Sequence, residues 1–242
     1  MGIVFKDFYE KYWQHRKHIG KIHTSRNSYI PKRIKTCISM ISLKQNRLRI
    51  LDVGCGEGTL GMLLKDNFKE QIDITGCDIS EEALNIARPF YDNVFQIDIE
   101  NDLIQEKIGD TRFDYVICLE ILEHLLSPAT ALRKFIHLLE NDGTMILSFP
   151  NIAWWKYRIK ILKGHFPEET TLFDQAEHLH NFTMNSFLKL LQDVNLVPLE
   201  IDGEFIPPKF MTKLRPQKFI KKIIKNNPNF FGYQIVVKAR IK

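Results

Sequence analysis

The stretch Leu51-Asp52-Val53-Gly54-Cys55-Gly56-Glu57-Gly58 constrains this chain more than any other. An apolar, strand-like run ends in glycines at alternate positions, and a helix-like segment, Leu60 to Asn67, follows at once. Glycine lacks a Cβ, so it permits the tight turn and lets a ligand lie against the backbone, while the helix start presents free N–H groups. Twenty residues past Gly58, Asp78 ends the next strand-like run in Gly76-Cys77-Asp78-Ile79-Ser80, where a carboxylate can bind both hydroxyls of a ribose. A nucleoside-containing cofactor is the natural occupant of such a loop.

The chain around this loop alternates strand and helix. Strands are expected over Arg49–Val53, Asp73–Asp78, Val94–Ile97, Phe113–Leu119 and Thr144–Phe149. Between them come helices over Leu60–Asn67, Glu81–Arg88 and Pro128–Glu140, the last with Ser127 as its cap and Asn141-Asp142-Gly143 as the turn that follows. Repeated βα units imply a doubly wound, mostly parallel sheet. Before them, Phe5, Phe8, Tyr9, Tyr12 and Trp13 recur at helical spacing, and a second helix is expected over Pro31–Ser42. After Pro150 the rhythm breaks. Thr183 then caps a helix over Met184–Val194, and strands follow at Leu196–Ile201 and Tyr233–Ile241, separated by an insertion with Pro207, Pro208, Pro216 and seven basic residues.

Charge is segregated along the 242 residues. The net formal charge of +5 divides into +10 over residues 1–49, −12 over 50–150 and +7 over 151–242. The middle is a poor partner for a phosphate backbone, whereas either flank can meet an anion. Cys37, Cys55, Cys77 and Cys118 show no CxxC spacing and lie mostly in apolar runs, which predicts buried, reduced thiols and a cytoplasmic setting. No apolar run approaches the length of a membrane span, and Met1 to Lys6 is expected to carry neither a signal-peptide core nor a myristoylation site.

Two cofactor classes compete for the loop, because Gly56-Glu57-Gly58-Thr59-Leu60-Gly61 also satisfies the GxGxxG of nicotinamide-dependent oxidoreductases. Asp52 separates them: a carboxylate at the tip of the first strand faces a pyrophosphate badly but suits a cationic amino-acid moiety. With Asp52, the Asp-x-Gly-x-Gly-x-Gly loop resembles the first motif of the class I S-adenosylmethionine-dependent methyltransferases. Asp78 looks like their ribose-binding acid, and Asp98 in Gln96-Ile97-Asp98-Ile99 like the residue beside the adenine. The resemblance runs from Arg49 to Phe149 and resumes at Gly232–Val237. It implies a Rossmann-like, seven-stranded sheet with an antiparallel last strand, and S-adenosyl-L-methionine held by Asp52, Gly54, Cys55, Gly56 and Gly58, then Asp78 and Ile79, then Asp98, Ile99 and Leu119. One domain is expected, with a helical cap (1–48), a cofactor-binding core (49–150), a lid or acceptor insertion (151–182), and a C-terminal helix and strand pair (183–242) carrying a basic insertion at 204–230.

Leu119-Glu120-Ile121-Leu122-Glu123-His124-Leu125 and His178-Leu179-His180-Asn181-Phe182-Thr183 are similar to segments of quinone-biosynthesis and glycan-tailoring methyltransferases. Ser148-Phe149-Pro150-Asn151, with Trp155 and Arg158, resembles proteins associated with methionine biosynthesis. Methyl transfer is an in-line displacement, so the enzyme must chiefly align the acceptor and help to remove a hydroxyl proton. His124, with Glu123 beside it, is the candidate base. Alternatively, Glu120, Glu123 and His124 on one helical turn, completed by His178, form a site for Mg²⁺, Mn²⁺ or Fe²⁺ that acidifies a bound hydroxyl. This matches the resemblance to metal-dependent methyltransferases of quinone precursors and of RNA ends. His178 and His180 point opposite ways in an extended segment, so one of them enters the site. A structural role for the whole cluster is the third alternative.

Trp154, Trp155 and Tyr157 form either an aromatic wall of the acceptor pocket or packing under a lid. Phe219, Ile220, Ile223 and Ile224, interleaved with Lys218, Lys221, Lys222 and Lys225, make a basic amphipathic segment that either touches an anionic membrane or nucleic acid or, as the preferred reading, forms a helix whose apolar face packs on the domain and whose lysines are solvated. The function these features imply is O-methylation of a small polar, sugar-like or phosphorylated acceptor, anionic rather than cationic. Ribose 2′-O-methylation of an RNA end is the alternative, although no RNA-binding module is recognisable. A nicotinamide-dependent oxidoreductase and a non-catalytic protein of the same fold are the more distant ones.

Overall fold

The computed structural model describes residues 2–19, 29–44, 46–167, 178–213 and 217–242. Seven strands form a single sheet in the order β3-β2-β1-β4-β5-β7-β6. The five strands β1 (Leu48–Val53), β2 (Ile72–Asp78), β3 (Asn93–Gln96), β4 (Phe113–Leu119) and β5 (Leu139–Pro150) run parallel. The strand β7 (Gly232–Ile241) inserts antiparallel between β5 and β6 (Leu196–Phe205). The expected topology, including the antiparallel last strand, is what the chain adopts.

The central strands are near-continuous apolar runs because both faces of the sheet are covered. Alternate residues serve opposite layers. Leu51, Val53, Val116, Cys118, Leu147 and Val237 pack with Leu132 and Phe135 of α6 (Pro128–Ile136) and Phe187 and Leu191 of α8 (Met184–Asp193). Leu48, Ile50, Ile74, Ile117, Ile146 and Val236 pack with Ile34 and Cys37 of α2 (Lys32–Ser39). They also meet Leu60 and Leu64 of α3 (Thr59–Phe68) and Leu84 of α4 (Glu81–Ala87). All four cysteines are free and buried, as expected, and burial pushes their thiols upward.

Helix α1 (Gly2–His18) lies over the start of α4. Its Glu10 carboxylate accepts hydrogen bonds from Ser80 Oγ (2.8 Å) and from the backbone N–H groups of Glu81 (2.7 Å) and Glu82 (3.1 Å), satisfying donors that a helix N-terminus leaves free. Lys17 pairs with Glu82 at 2.6 Å. Helix α1 is thus tied to the segment that follows β2 by charge and backbone polarity.

Several local expectations change. Helix α6 stops at Ile136 instead of Glu140, because Leu139 is drawn into β5 opposite Phe113 and the register shifts before Tyr115, absorbing Asn141-Asp142-Gly143 as an irregularity within the strand. Ser127 sits at the N-cap of α6, yet its Oγ donates to Thr130 Oγ1 (2.8 Å) and does not cap; its carbonyl accepts from Ala131. Thr183 does cap α8, in a reciprocal pair with Ser186. The insertion after Pro150 contains a helix that periodicity did not announce, α7 (Trp155–Leu162).

Between β6 and β7 lie α9 (Lys209–Thr212), α10 (Gln217–Lys225) and α11 (Pro228–Phe231). The apolar side of α10 packs on the domain only in part: Ile223 and Ile224 are half-buried and the helix meets β6, α9 and α11, whereas Phe219 is 60% exposed. Amphipathic spacing marks two faces but leaves open what covers the apolar one. Pro216 and the side chains of Phe5, Ile220 and Lys221 lie outside the described residues, as do residues 168–177 of the expected lid.

Candidate active site

The site is built at the carboxyl edge of the parallel strands, where open α/β sheets bind ligands. After β1 the chain turns sharply: Gly54 and Cys55 both donate their N–H groups to the Cys77 carbonyl, at 2.8 and 3.0 Å, and Gly54, Gly56 and Gly58 all have left-handed φ (+70°, +52° and +87°). At Gly54 a Cβ would lie 2.2 Å from Ile121 Cδ1, and at Gly56 2.9 Å from the Trp13 ring. These glycines are required by conformation and by close approach at once.

Asp78 ends β2 with its carboxylate against the loop, accepting from Gly56 N–H (2.9 Å) and Ser80 N–H (3.0 Å). Burial holds its pKa above the usual carboxylate range despite those donors. Asp52 is 3% exposed and accepts a 2.5 Å hydrogen bond from the Tyr91 hydroxyl, which in turn accepts from Gly61 N–H at 3.2 Å. Burial, opposed by the Tyr91 bond and reinforced by Asp78, raises Asp52 to about 7. Asp98 holds its own turn together, accepting from Glu100 N–H (3.0 Å) and Asn101 Nδ2 (2.8 Å).

A cavity of about 510 Å³ joins these elements. Asp52, Gly54, Cys55, Gly56, Asp78, Ile79, Asp98, Ile99 and Leu119 all line it, together with Glu120 and His124. Gly58 does not: it faces Ala87, whose Cα lies 2.9 Å from where a Cβ would stand, so among the predicted cofactor residues it shapes the packing of α3 on α4. The sequence reading missed the roof. Tyr9, Tyr12, Trp13 and Arg16 of α1 line the cavity, with the Arg16 guanidinium 5.3 Å from the Trp13 ring centroid and 3.7 Å from Glu57. The aromatic spacing of α1 was visible, but nothing local shows which surface it covers.

The Glu120 to His124 segment is not one α-helical turn, which corrects the shared-face expectation. Glu120 has φ +57° and lies before a single 3₁₀ turn, Leu122–His124. Its carboxylate turns to the sheet, accepting from Ser148 Oγ (2.8 Å) and Gln234 Nε2 (3.1 Å). Burial raises its pKa, and the Arg33 guanidinium opposes the rise. Glu120 lies outside the turn that carries Glu123 and His124 but acts electrostatically on Glu123 and His178, and the ligand atoms of Glu123, His124 and His178 all lie within 4.8 Å of one another. His124 and His178 have ring centroids 4.9 Å apart. His180 leaves the group and stacks on Phe182 at 5.8 Å. The choice between the two histidines is made by the backbone, since the N–H groups of Leu179 and His180 both donate to the Glu123 carbonyl (2.8 and 3.0 Å).

Glu123 has 0% exposure, and among the described residues neither carboxylate oxygen has a hydrogen-bond partner; His124 Nε2 is 3.9 Å away. Burial and the neighbouring Glu120 push its pKa well above the ordinary value. Both indole N–H groups of Trp154 and Trp155 donate to the Ile206 carbonyl, and neither they nor Tyr157 line the cavity, which supports the packing alternative.

The buried acids have a consequence for stability. A carboxyl whose folded pKa exceeds its unfolded value stabilises the fold below the unfolded pKa and loses that contribution as pH rises to the folded one. For Asp52 the window runs from 3.8 to about 7, and at about 1.4 kcal/mol per unit the loss is on the order of 4 kcal/mol. Urea denaturation of the cofactor-free protein is expected to show stability falling across this window, with Asp52→Asn flattening part of the fall. A difference between wild type and Asp52→Asn that does not change with pH across this window would contradict the assignment.

A Rossmann-like sheet of this order, with a glycine loop after β1 and an acid at the tip of β2, defines a class I S-adenosylmethionine-dependent methyltransferase. Within that class the chain belongs to the family of the methionine biosynthesis protein MetW, whose sequence profile matches residues 36–232. A ubiquinone biosynthesis O-methyltransferase of Alkalilimnicola ehrlichii is 34% identical over 124 residues, 49% of this chain and 48% of that protein. The corresponding enzyme of Rickettsia akari is 25% identical over 215 residues, 84% of this chain and 80% of that one. The chain spans about half the length of the first curated relatives it matches. In fold it resembles an S-adenosylmethionine-dependent methyltransferase of Thermotoga maritima (TM-score 0.65, 16% identity, 98% and 99% of the two chains). It also resembles the plantazolicin methyltransferase BpumL, solved with S-adenosylhomocysteine (TM-score 0.60, 17% identity, 98% and 96%). Between the two cofactor classes that the glycine loop allows, these relationships favour S-adenosylmethionine.

Proposed function

We propose that the chain O-methylates a small polar, sugar-like or phosphorylated acceptor, with residues 1–48 as cap, 49–150 as cofactor-binding core and 151–182 as lid. The observation that carries the reading is that one cavity contains both the buried acids Asp52 and Asp78 and the imidazole-bearing His124. When bound, S-adenosylmethionine supplies a methyl group already activated by its sulfonium. Two carboxylates buried without a cation suit a ligand that brings a positive charge and paired hydroxyls: Asp52 faces the former, Asp78 the latter. Trp13 over Gly56 excludes water from the loop. His124 takes the acceptor hydroxyl proton as the oxygen–methyl bond forms and the sulfur–methyl bond breaks.

Glu123, His124 and His178 also fit a divalent cation, since the Glu123 carboxylate is buried with no hydrogen-bond partner among the described residues and the donor set mixes oxygen with nitrogen. Mg²⁺, Mn²⁺ or Fe²⁺ held there would acidify an acceptor hydroxyl, and His124 would then serve as a ligand. The ubiquinone-pathway relatives support a hydroxyl acceptor. Ribose 2′-O-methylation of an RNA end is the second reading, favoured by this cluster and the basic flanks; steep loss of turnover with salt supports it and salt-insensitive turnover argues against it. Four buried, free thiols support a cytoplasmic setting. Among the described residues, no helix is long and apolar enough to cross a membrane.

The test is transfer of labelled methyl to a panel of hydroxy acids, sugars and phosphorylated sugars. His124→Ala is expected to lower kcat about 10²-fold or more with the affinity for S-adenosylhomocysteine unchanged. Wild-type turnover in His124→Ala would remove the imidazole from the mechanism.

A further inference from the structure

The amphipathic segments absorbed by no part of the site form one surface. Among the described residues of α9, α10 and α11, Phe210 is 67%, Phe219 60% and Phe230 40% exposed. On neighbouring α7, Leu162 is 85% and Ile159 44% exposed. The pieces are held together: both tryptophan N–H groups at the start of α7 bond to Ile206, just before α9, and the Arg158 guanidinium lies 5.5 Å from the Phe230 ring centroid. Between these apolar side chains stand cations. Lys209, Lys213, Lys218, Lys222 and Lys225 are exposed, and residues 143–167 and 205–242 contain no Asp or Glu at all.

We propose that this face docks on an anionic phospholipid surface. Large apolar side chains and lysines in two stretches that carry no carboxylate, 143–167 and 205–242, match a headgroup layer that offers negative charge above hydrocarbon. On α10, Lys218, Lys222 and Lys225 share one stripe, and Phe219 and Ile223 share the adjacent one. This is the arrangement of a helix that lies in an interface. A nucleic acid would engage the lysines but has no use for exposed Leu162 and Ile159. A protein partner would have to supply an acidic, apolar patch of matching layout.

Position agrees. Helix α7 leaves the sheet after Pro150 at the end of β5, α9 after Phe205 at the end of β6, and α11 enters β7 at Gly232. Since β6 is antiparallel to β7 and β7 to β5, all three points lie at the carboxyl edge of the parallel strands, the edge that carries the glycine loop and His124. Docking would therefore bring the cavity side of the molecule towards the lipid. The inference stands on exposure and charge, independently of the acceptor assigned above.

Co-flotation of the full chain with vesicles tests it. Binding to vesicles of phosphatidylcholine with about one third phosphatidylglycerol is expected to exceed binding to phosphatidylcholine alone by about tenfold or more, and to weaken as salt is raised. Lys218→Glu combined with Lys222→Glu should reduce it about tenfold or more. Phe210→Ser combined with Phe219→Ser should lower it while leaving the salt dependence in place. The thermal shift on adding S-adenosylhomocysteine reports that each variant is folded, and these side chains lie outside the cavity. Equal retention on both vesicle types, no retention on either, or undiminished binding by the lysine variant would overturn the proposal. Preferential binding of single-stranded RNA in competition with the anionic vesicles would also overturn it.

Discussion

Replacing Asp78 by alanine is expected to weaken S-adenosylmethionine binding by about 100-fold or more. Hydrogen bonds to a charged group contribute roughly 1.5–3 kcal/mol each, and a ribose would lose two of them. The same carboxylate orders the loop, because Gly56 and Ser80 both donate to it. Removing it leaves Gly56 N–H without its acceptor and frees the segment that must lie against the cofactor. Titration calorimetry with S-adenosylhomocysteine reads the affinity, and urea denaturation separates a binding defect from unfolding. Losing the acceptor of Gly56 and Ser80 N–H destabilises the fold, and relief of a buried carboxylate, whose pKa burial raises, offsets part of that cost, so the variant is expected to fold with reduced stability at neutral pH. Unchanged affinity in a folded Asp78→Ala protein would show that the ribose binds elsewhere.

Glu123→Met is expected to move stability and activity in opposite directions. Methionine nearly matches the shape of glutamate but has no polar oxygen to strand. In the native protein both Glu123 oxygens are buried without a hydrogen-bond partner among the described residues, and Glu120 repels a charge there. An unsatisfied buried polar group costs about 1–3 kcal/mol, so its removal should raise Tm, by about 2–4 °C for each kcal/mol in a chain of this size. Turnover should fall at least tenfold if the carboxylate serves the reaction, as a cation ligand or as the group that orients His124. The two roles separate by calorimetric titration with Mn²⁺ in the absence of cofactor. Heat of binding in the wild type that vanishes in Glu123→Met supports the cation site; no heat in either leaves orientation. A fall in Tm with full activity would mean that Glu123 is only a structural element.

The two predictions differ in how far the sequence anticipates them. Asp52, the glycine loop and Asp78 were readable from spacing alone, because consecutive βα units place the tips of β1 and β2 side by side and the interval between them is a local property of the chain. Thr183 as a helix cap was readable for the same reason. The termination of α6 was not, since pairing of Leu139 with Phe113 outweighs helix propensity there. Tyr91, which binds Asp52 from 39 residues away, and Gln234, which reaches Glu120 across 114, leave no local trace because only the sheet brings them together.

What the sequence by itself determined is the βα alternation, the glycine loop after β1 and the acids at the ends of β1 and β2, all consequences of backbone geometry over a few tens of residues. What only the tertiary structure decided is which polar groups meet. It took Glu120 off the turn that carries Glu123 and His124, turned His178 towards His124 and His180 towards Phe182, laid α1 over the loop, and left Phe219 of α10 exposed. The physical reason is common to all four. Periodicity states which residues share a face, but the surface opposite that face is supplied by distant chain, and burial and charge pairing are settled only when the two surfaces come into contact.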